Sequence, residues 1–429
     1  MVVAAAQAPT DEQRAAAKPD ASDKAQGAAL KLSPADMTWW EDAKIGLFVH
    51  WGLYAIPGQG EWYMHNADVP ADVYARLADQ FRPRHFDPDG WARLAKRAGA
   101  RYMVMTARHH DGFALFNNPS DVDNFDSVHA AAHTDFIAAY VKAARREGLR
   151  VGIYYSLVNW RFPAYFHPKE MPENAALFKR QAYEQIEGLM RDYGRIDVLW
   201  YDGGWLALKG TDADAAWFWQ PEKLNAMVRR YQPKVVINAR SGWQGDFASE
   251  EGAAPITGPI RPEPWEKTFS LNTKAWGYTK IRKLVPYDTL ITLLVNAVVR
   301  GGNMLVNVGP DPDGVIPAGQ VVLLKRMGDW LKKNGESIYG TRPGPFAPVD
   351  GVYGSTQKGR FIYLHVLSWP QDTLSLPAPA RKVVRATVLG GADVPIEQTG
   401  EAMRLAVPAH DRDPIDTIIR LELGDETRP

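Results

Sequence analysis

The chain has no cysteine in 429 residues. That absence excludes disulfides, a thiolate nucleophile and zinc held by thiolates. Net charge is also missing: Lys+Arg and Asp+Glu number 50 each. Nothing therefore argues for a nucleic-acid partner or an anionic membrane surface. No run approaches the ~20 apolar residues needed to span a bilayer. No internal repeat exceeds one strand-helix unit. The spacings H-x-H and H-E-x-x-H, which aim two rings at one ion, do not occur. What remains is a globular composition, 45% hydrophobic and 23% charged. The length exceeds one ordinary domain and fits a barrel of ~250 residues with a smaller module.

One pattern recurs along the first three quarters of the chain. Residues 102–113 (YMVMTARHHDGF) form an apolar run that ends in two histidines and an Asp-Gly turn. Residues 44–52 (KIGLFVHWG), 151–160 (VGIYYSLVNW), 196–204 (IDVLWYDGG), 235–242 (VVINARSG) and 304–310 (MLVNVGP) follow suit, each with polar or aromatic residues at its C-terminal end. Active sites of parallel α/β barrels are built at that end of the strands. Helical periods over 91–99, 134–148, 183–193, 221–231, 288–300 and 321–333 alternate with these runs, as βα units require. Two further strands are expected in the irregular stretch 243–287. After about residue 341 short strands at 361–368, 382–389, 403–407 and 417–423 indicate an antiparallel β-sandwich. The expected fold is α/β: a TIM-like (β/α)8 barrel over 36–340, then a sandwich over 345–429. Residues 1–35 are expected to be a disordered leader. Its start, MVVAAAQA, resembles the tail of a secretory signal around its A-x-A cleavage site, but it lacks a basic start. A trimmed export signal is the expectation, with the mature protein periplasmic or extracellular.

Side chains alternate faces along a strand. In 196–204, Val198, Trp200 and Asp202 share one face, while Leu199 and Tyr201 take the other. Asp202 then stands at the strand's C-terminal end, before Gly203 and Gly204. The bland alternative is an Asp that caps the next helix. Asp197 opens the same strand and belongs at the far end of the barrel. Glycosidic hydrolysis needs two carboxyl groups, one as acid and one as nucleophile or base. Segments 246–251 (DFASEE) and 264–267 (PWEK) offer the second, although a lone acidic loop residue is usually just solvated. The 15 Trp and 17 Tyr mostly serve core packing; the rest offer flat faces for stacking on sugar rings.

Nine segments together resemble glycoside hydrolase family 29, the α-L-fucosidases. They are WEDAKIGLFVHWGLY (40–54), EWY (61–63), TARHHDGF (106–113), GIYYS (152–156), LWYDG (199–203), NAR (238–240), WEKT (265–268), WGY (276–278) and GGNMLVNVGP (301–310). The resemblance implies an irregular barrel with a C-terminal β-sandwich. It also implies retaining hydrolysis of terminal α-L-fucose without metal or cofactor. Asp202 matches the nucleophile. His50, Glu61, Trp62, His109, His110, Trp200 and Arg240 match residues that bind the sugar, and Trp276 matches an aromatic lining the pocket. In the Tyr154-Tyr155 pair, alignment favours Tyr155. The pattern near the acid/base resembles D-F-x-T-x-E, here D-F-A-S-E-E, which points to Glu251. Glu266 and Glu250 stand as alternatives. Chemistry agrees with these matches. Three histidines and a glutamate can exchange hydrogen bonds with ring hydroxyls. The C5 methyl of fucose needs an apolar wall, which Trp200 and Trp276 can supply. Arg240 cannot lose its proton, so beside Asp202 it would hold the nucleophile ionised.

Two other readings compete. One is a metal-dependent barrel hydrolase, because three histidines lie at strand ends. Adjacent His109 and His110 point apart, however, unless the strand breaks there. The other is a sugar-binding protein without turnover, which the intact Asp202 and nearby glutamates oppose. The expected partner is a fucosylated oligosaccharide or glycoconjugate; a homo-oligomer is compatible with the sequence. Linkage and aglycone preference depend on loops such as 161–173 and 252–263.

Overall fold

The computed structural model describes residues 27–425. The proposed signal remnant and residues 1–26 of the leader lie outside that range. Eight parallel strands form one curled sheet in the order β5-β4-β3-β2-β1-β8-β7-β6. They are β1 (Ile45–Val49), β2 (Tyr102–Arg108), β3 (Arg150–Ser156), β4 (Val198–Asp202), β5 (Val236–Ile237), β6 (Ala248–Glu251), β7 (Trp265–Ser270) and β8 (Asn303–Val308). Between β5 and β6 only a single parallel bridge, Asn238 to Phe247, closes the barrel. Two backbone hydrogen bonds carry this seam, Asp246 N to Ile237 O (2.7 Å) and Ala239 N to Phe247 O (3.1 Å). The Asp246 carboxylate reinforces it, accepting from Ile237 N (2.8 Å) and pairing with Arg229 (2.7 Å). Asp246, the first residue of the DFASEE segment, is therefore structural.

Alternation sorts the strand residues cleanly. Phe48, Tyr102, Val104, Tyr154, Val198, Trp200, Val236 and Leu305 fill the barrel interior. Gly46 and Gly152 take inward positions where a Cβ would come within 2.4 Å of the Tyr102 ring and 2.7 Å of Val104. Their hydrogens leave room for the large rings opposite. Helix α1 (Pro34–Ala43) contributes Met37, Trp40 and Ala43 to the same interior cluster. The leader expected over 1–35 needs correction here. From Gly27 onward it lies against the barrel, with Gly27 O accepting from Trp243 Nε1 (3.0 Å) and Leu32 N donating to Asp246 (2.9 Å).

The outer layer comprises α2 (Pro88–Arg97), α3 (Phe136–Arg146), α4 (Pro172–Asp192), α5 (Pro221–Tyr231), α6 (Tyr287–Val298) and α7 (Ala318–Asn334). Asp87 and Asp135 cap α2 and α3 by accepting from Gly90 N (2.8 Å) and Ala138 N (2.7 Å). Helix α4 runs 21 residues, twice the expected length. Its start has no side-chain cap and is marked by Pro172 and Glu173 in the first turn. No helix joins β5 to β6 or β6 to β7, which is why 243–287 lacks a helical period.

The C-terminal module has a five-stranded and a three-stranded antiparallel sheet around a separate core that includes Ile362, Leu364, Met403 and Ile419. Tyr363 and Ile418 pack instead into the barrel's core. Arg300 ties the module's first loop to the barrel, reaching Asp350 (2.7 Å) and Gly258 O (2.9 Å). Among the described residues, no helix is long and apolar enough to cross a membrane.

Candidate active site

The C-terminal strand ends surround a pocket lined by His50, His109, His110, Tyr154, Asp202, Arg240 and Glu251, with aromatic walls from Phe48, Trp62, Trp200, Trp205 and Trp276. Asp202 ends β4 on the inward face. Gly203 follows at φ +66°, a left-handed conformation that glycine adopts without strain. That turn brings Gly203 N–H onto Asp202 Oδ1 (2.7 Å). Tyr154 donates to Asp202 Oδ2 (2.7 Å), and Arg240 Nη2 donates to Oδ1 (2.7 Å). The nucleophile candidate is thus oriented on both oxygens.

Tyr154, not Tyr155, is the pocket tyrosine, which corrects the alignment-based choice. The register pairs Tyr154 with Trp200 and Tyr155 with Tyr201. Tyr155 therefore faces outward, where its hydroxyl donates to Gln185 on α4 (2.8 Å).

The paired histidines enter the pocket because β2 breaks. A register shift falls between Thr106 and Arg108. Arg108 swings outward onto Gln181, Gln185 and the carbonyls of Ser156 and Val158. His109 and His110 then both face inward, ring centroids 4.2 Å apart. His110 Nδ1 meets Ser156 Oγ (2.6 Å), and its Nε2 lies 3.6 Å from Asp202 Oδ2. His109 stacks on Tyr154 at 5.5 Å, and its Nδ1 has no partner among the described residues. Asn307 donates its amide to Trp276 O (2.7 Å), so its oxygen faces His50 Nδ1 (2.7 Å). His50 Nδ1–H therefore donates, leaving Nε2 as an acceptor. Burial pushes all three imidazoles below their ordinary range, His50 to about 4. They are neutral at pH 7 and suited to neutral hydroxyls.

His109, His110 and Asp202 bring ligand atoms within 4.8 Å of one another, so the spacing alone could accept a cation. The Arg240 guanidinium, already 2.7 Å from Asp202, opposes one electrostatically.

The apolar floor is Phe48, whose ring lies 5.4 Å from Trp200 and 6.3 Å from Trp276. Trp62 stands edge-on to His110 at 5.2 Å. Glu61 and Tyr155 are the expected sugar-binding residues that do not line the pocket. Glu61 is buried and accepts from Gly277 N (2.8 Å), pinning the Trp62 loop to the loop that carries Trp276. Burial raises its carboxyl.

The three glutamates weighed as acid/base part company. Glu251 ends β6 at the pocket and pairs with Arg240 Nη1. Burial first, then the Asp202 charge, raises its carboxyl, although Arg240 opposes the shift. Glu250 points the other way, to Lys267 (2.6 Å) and Arg261. Burial would raise it, but those two cations outweigh burial and hold it low. Glu266 is sealed inside the barrel and does not line the pocket. It accepts from Tyr102 Oη and from Trp200 Nε1 (3.0 Å), and burial pushes it up to about 7. It holds a pocket wall in place from below.

Phe48, Tyr154, Trp205 and Asp212 are not among the residues expected from the sequence. Strand parity identifies Tyr154. Trp205, 6.1 Å from His110, and Asp212, which accepts from Arg240 Nε (2.9 Å), lie in a loop that carries no periodic signal.

A parallel barrel whose strand ends gather two carboxyls, neutral imidazoles and an aromatic floor defines a glycoside hydrolase. The alpha-L-fucosidase family model matches residues 12–336. The chain belongs to that family and is an α-L-fucosidase-type enzyme. It is 32% identical over 389 residues to the tissue alpha-L-fucosidase of Bos taurus, covering 82% of this chain and 80% of that one. Among solved structures, alpha-L-fucosidase isoenzyme 1 from Paenibacillus thiaminolyticus is 33% identical, with a TM-score of 0.79 over 91% of this chain and 99% of that one. A GH29 alpha-L-fucosidase from Bacteroides thetaiotaomicron is 28% identical, with a TM-score of 0.82 over 92% and 97% of the chains. It was trapped as a covalent intermediate with 2-fluoro-fucosyl fluoride in a Glu-to-Gln mutant.

Proposed function

We propose that this enzyme is a retaining exo-α-L-fucosidase in which Asp202 is the nucleophile and Glu251 the acid/base. One observation carries the assignment. A single guanidinium, Arg240, holds Asp202 on Nη2 and Glu251 on Nη1. The two carboxyls thus share one cation at the pocket, as a nucleophile and an acid/base that act on one glycosidic bond need. The covalent intermediate of the Bacteroides relative supports the same route.

In this reading, fucose seats its C5 methyl on the Phe48–Trp200–Trp276 floor, and its hydroxyls meet His50, His109 and His110. Asp202 attacks the anomeric carbon while Glu251 gives its proton to the departing oxygen. The C–O bond to the aglycone breaks and a fucosyl-Asp202 ester forms. Glu251, now ionised, takes a proton from water, the water oxygen bonds to the anomeric carbon, and Asp202 leaves. The substrate is a glycan that ends in α-L-fucose.

Trapping with a 2-fluoro-fucosyl fluoride followed by peptide mass spectrometry should place the label on Asp202. Asp202→Ala should keep its fold and lose several orders of magnitude in turnover. Label on another carboxylate rejects the assignment.

A further inference from the structure

Arg240 contacts three carboxylates: Nη2 meets Asp202, Nη1 meets Glu251, and Nε meets Asp212 at 2.9 Å. Asp212 opens a short 3-10 turn (Asp212–Ala215) in the β4–α5 connection, and the chain is built to bring it there. Thr211 and Asp214 form a reciprocal cap on that turn. A Cβ on Gly204 would lie 2.7 Å from Arg240 O and 2.9 Å from Asp212 Oδ1. A Cβ on Gly242 would lie 2.9 Å from Asp212 O. Two glycines thus clear the space in which Asp212 and Arg240 meet.

We propose that Asp212 is a positioning residue for the reaction, holding Arg240 so that its guanidinium spans the nucleophile and the acid/base. The proposal rests on the roles given above to Asp202 and Glu251. A free arginine grips one carboxylate with a two-pronged fork of neighbouring N–H groups. Asp212 occupies Nε and removes one prong of the Nε/Nη2 fork from Asp202. Asp202 keeps a single N–H, and Nη1 is turned toward Glu251. Asp212 also brings a third negative charge to one guanidinium. That charge offsets the attraction by which Arg240 would strip Glu251 of the proton it must deliver. The charged and titratable groups facing this cluster are Asp202 from β4, Tyr154 from β3, Arg240 from the turn after β5, Glu251 from β6 and neutral His110 beyond β2.

The test compares Asp212→Asn, Asp212→Ala and Asp212→Glu with wild type across a pH series, using an aryl fucoside and thermal melts. Asn keeps the acceptor oxygen and loses the charge. It should move the alkaline limb of kcat/KM down by about one pH unit. Ala loses the anchor as well and should lower kcat by about a hundredfold with KM little changed, the scale of a ~1 Å misplacement. Glu should return the limb toward its wild-type position. Unchanged kcat and an unmoved limb in folded Asn and Ala variants overturn the proposal, as does a lower melting temperature alone. Should Ala not fold, the isosteric Asn variant decides through the limb. Fluoro-fucosyl labelling of Asp212→Asn separates the two claims. Label off Asp202 removes the underlying reading; label on Asp202 with an unmoved limb removes only the role of Asp212.

Discussion

At the scale of single residues, the three neighbouring glutamates show how environment assigns roles. Glu251 and Glu250 are adjacent in sequence yet face opposite ways, one to the pocket and one to two cations. Glu251→Ala should hurt substrates with poor leaving groups most. With an activated aryl fucoside, azide should rescue it and yield a β-fucosyl azide, because the anion needs no base. Glu266→Gln should show no azide effect. Rescue of Glu266→Gln alone would transfer the role. Glu266 carries a second expectation. Its folded value of about 7 lies above the ~4.3 of an unfolded glutamate. The unfolded chain therefore releases this proton first. Stability falls as pH rises from about 4.3 to about 7, by up to ~4 kcal/mol, and is level above. Glu266→Gln should remove that slope in urea titrations between pH 4.5 and 7.5; an unchanged slope would place the effect elsewhere. The sequence disclosed Asp202, His50, Trp200 and Arg240 because alternation and strand-end position are local. The same parity, carried from Trp200 to its β3 neighbour, selects Tyr154. Alignment alone does not encode a face. Asp212 was beyond reach because its partner is 28 positions away and nothing periodic links them.

At the scale of elements, two irregularities make the site. The shift in β2 turns two adjacent histidines to one side, which a regular strand forbids. The sequence shows the His-His pair but not the break, since the break depends on Arg108 finding acceptors on α4 and β3. The second irregularity is the seam between β5 and β6. Asn238 extends the β4–β5 pairing with its side chain, exchanging hydrogen bonds with Tyr201 N and O at 2.8 Å each. Beyond it, Asp246 takes over. Asp246→Ala removes the partner of a mostly buried Arg229 and an acceptor for two backbone N–H groups. It should cost about 3 kcal/mol in chemical denaturation. A loss under ~0.5 kcal/mol, the size of an ordinary surface change, would show that the bridge holds without it. The region 243–287 read as irregular because these strands are joined by loops, and the helical period that marks βα units is absent.

At the scale of the molecule, the C-terminal module is bonded into the barrel. Thr356 Oγ1 donates to Ser337 O (2.7 Å), and Arg342 pairs with Glu41 and Asp42. Removing residues from 345 onward would strip Asp350 from the buried Arg300 and uncover the barrel core that Tyr363 and Ile418 cover. The truncated chain should be insoluble or melt early. A soluble, fully active product would show the module to be dispensable. Its sandwich character was legible in the strands around 361–368 and 417–423, where apolar runs are plain. The strand Tyr353–Lys358 was not, because YGSTQK pairs through its backbone and carries little apolar signal.

The seam has a consequence for how such an enzyme can change over generations. His50, His109, His110, Tyr154, Trp200 and Asp202 line the pocket from β1 to β4 and the strand ends, while Glu251, the acid/base proposed above, arrives on β6. At the β5–β6 seam a single bridge joins the two sides, while the ladders through β7 and β8 join them the other way round the barrel. On the roles proposed above, a change in the β6–β7 loop would act first on the Glu251 side of the pocket, with the strand-end residues of β1 to β4 left in place. On that reading, a lineage could exchange one leaving group for another while inheriting the same recognition of fucose.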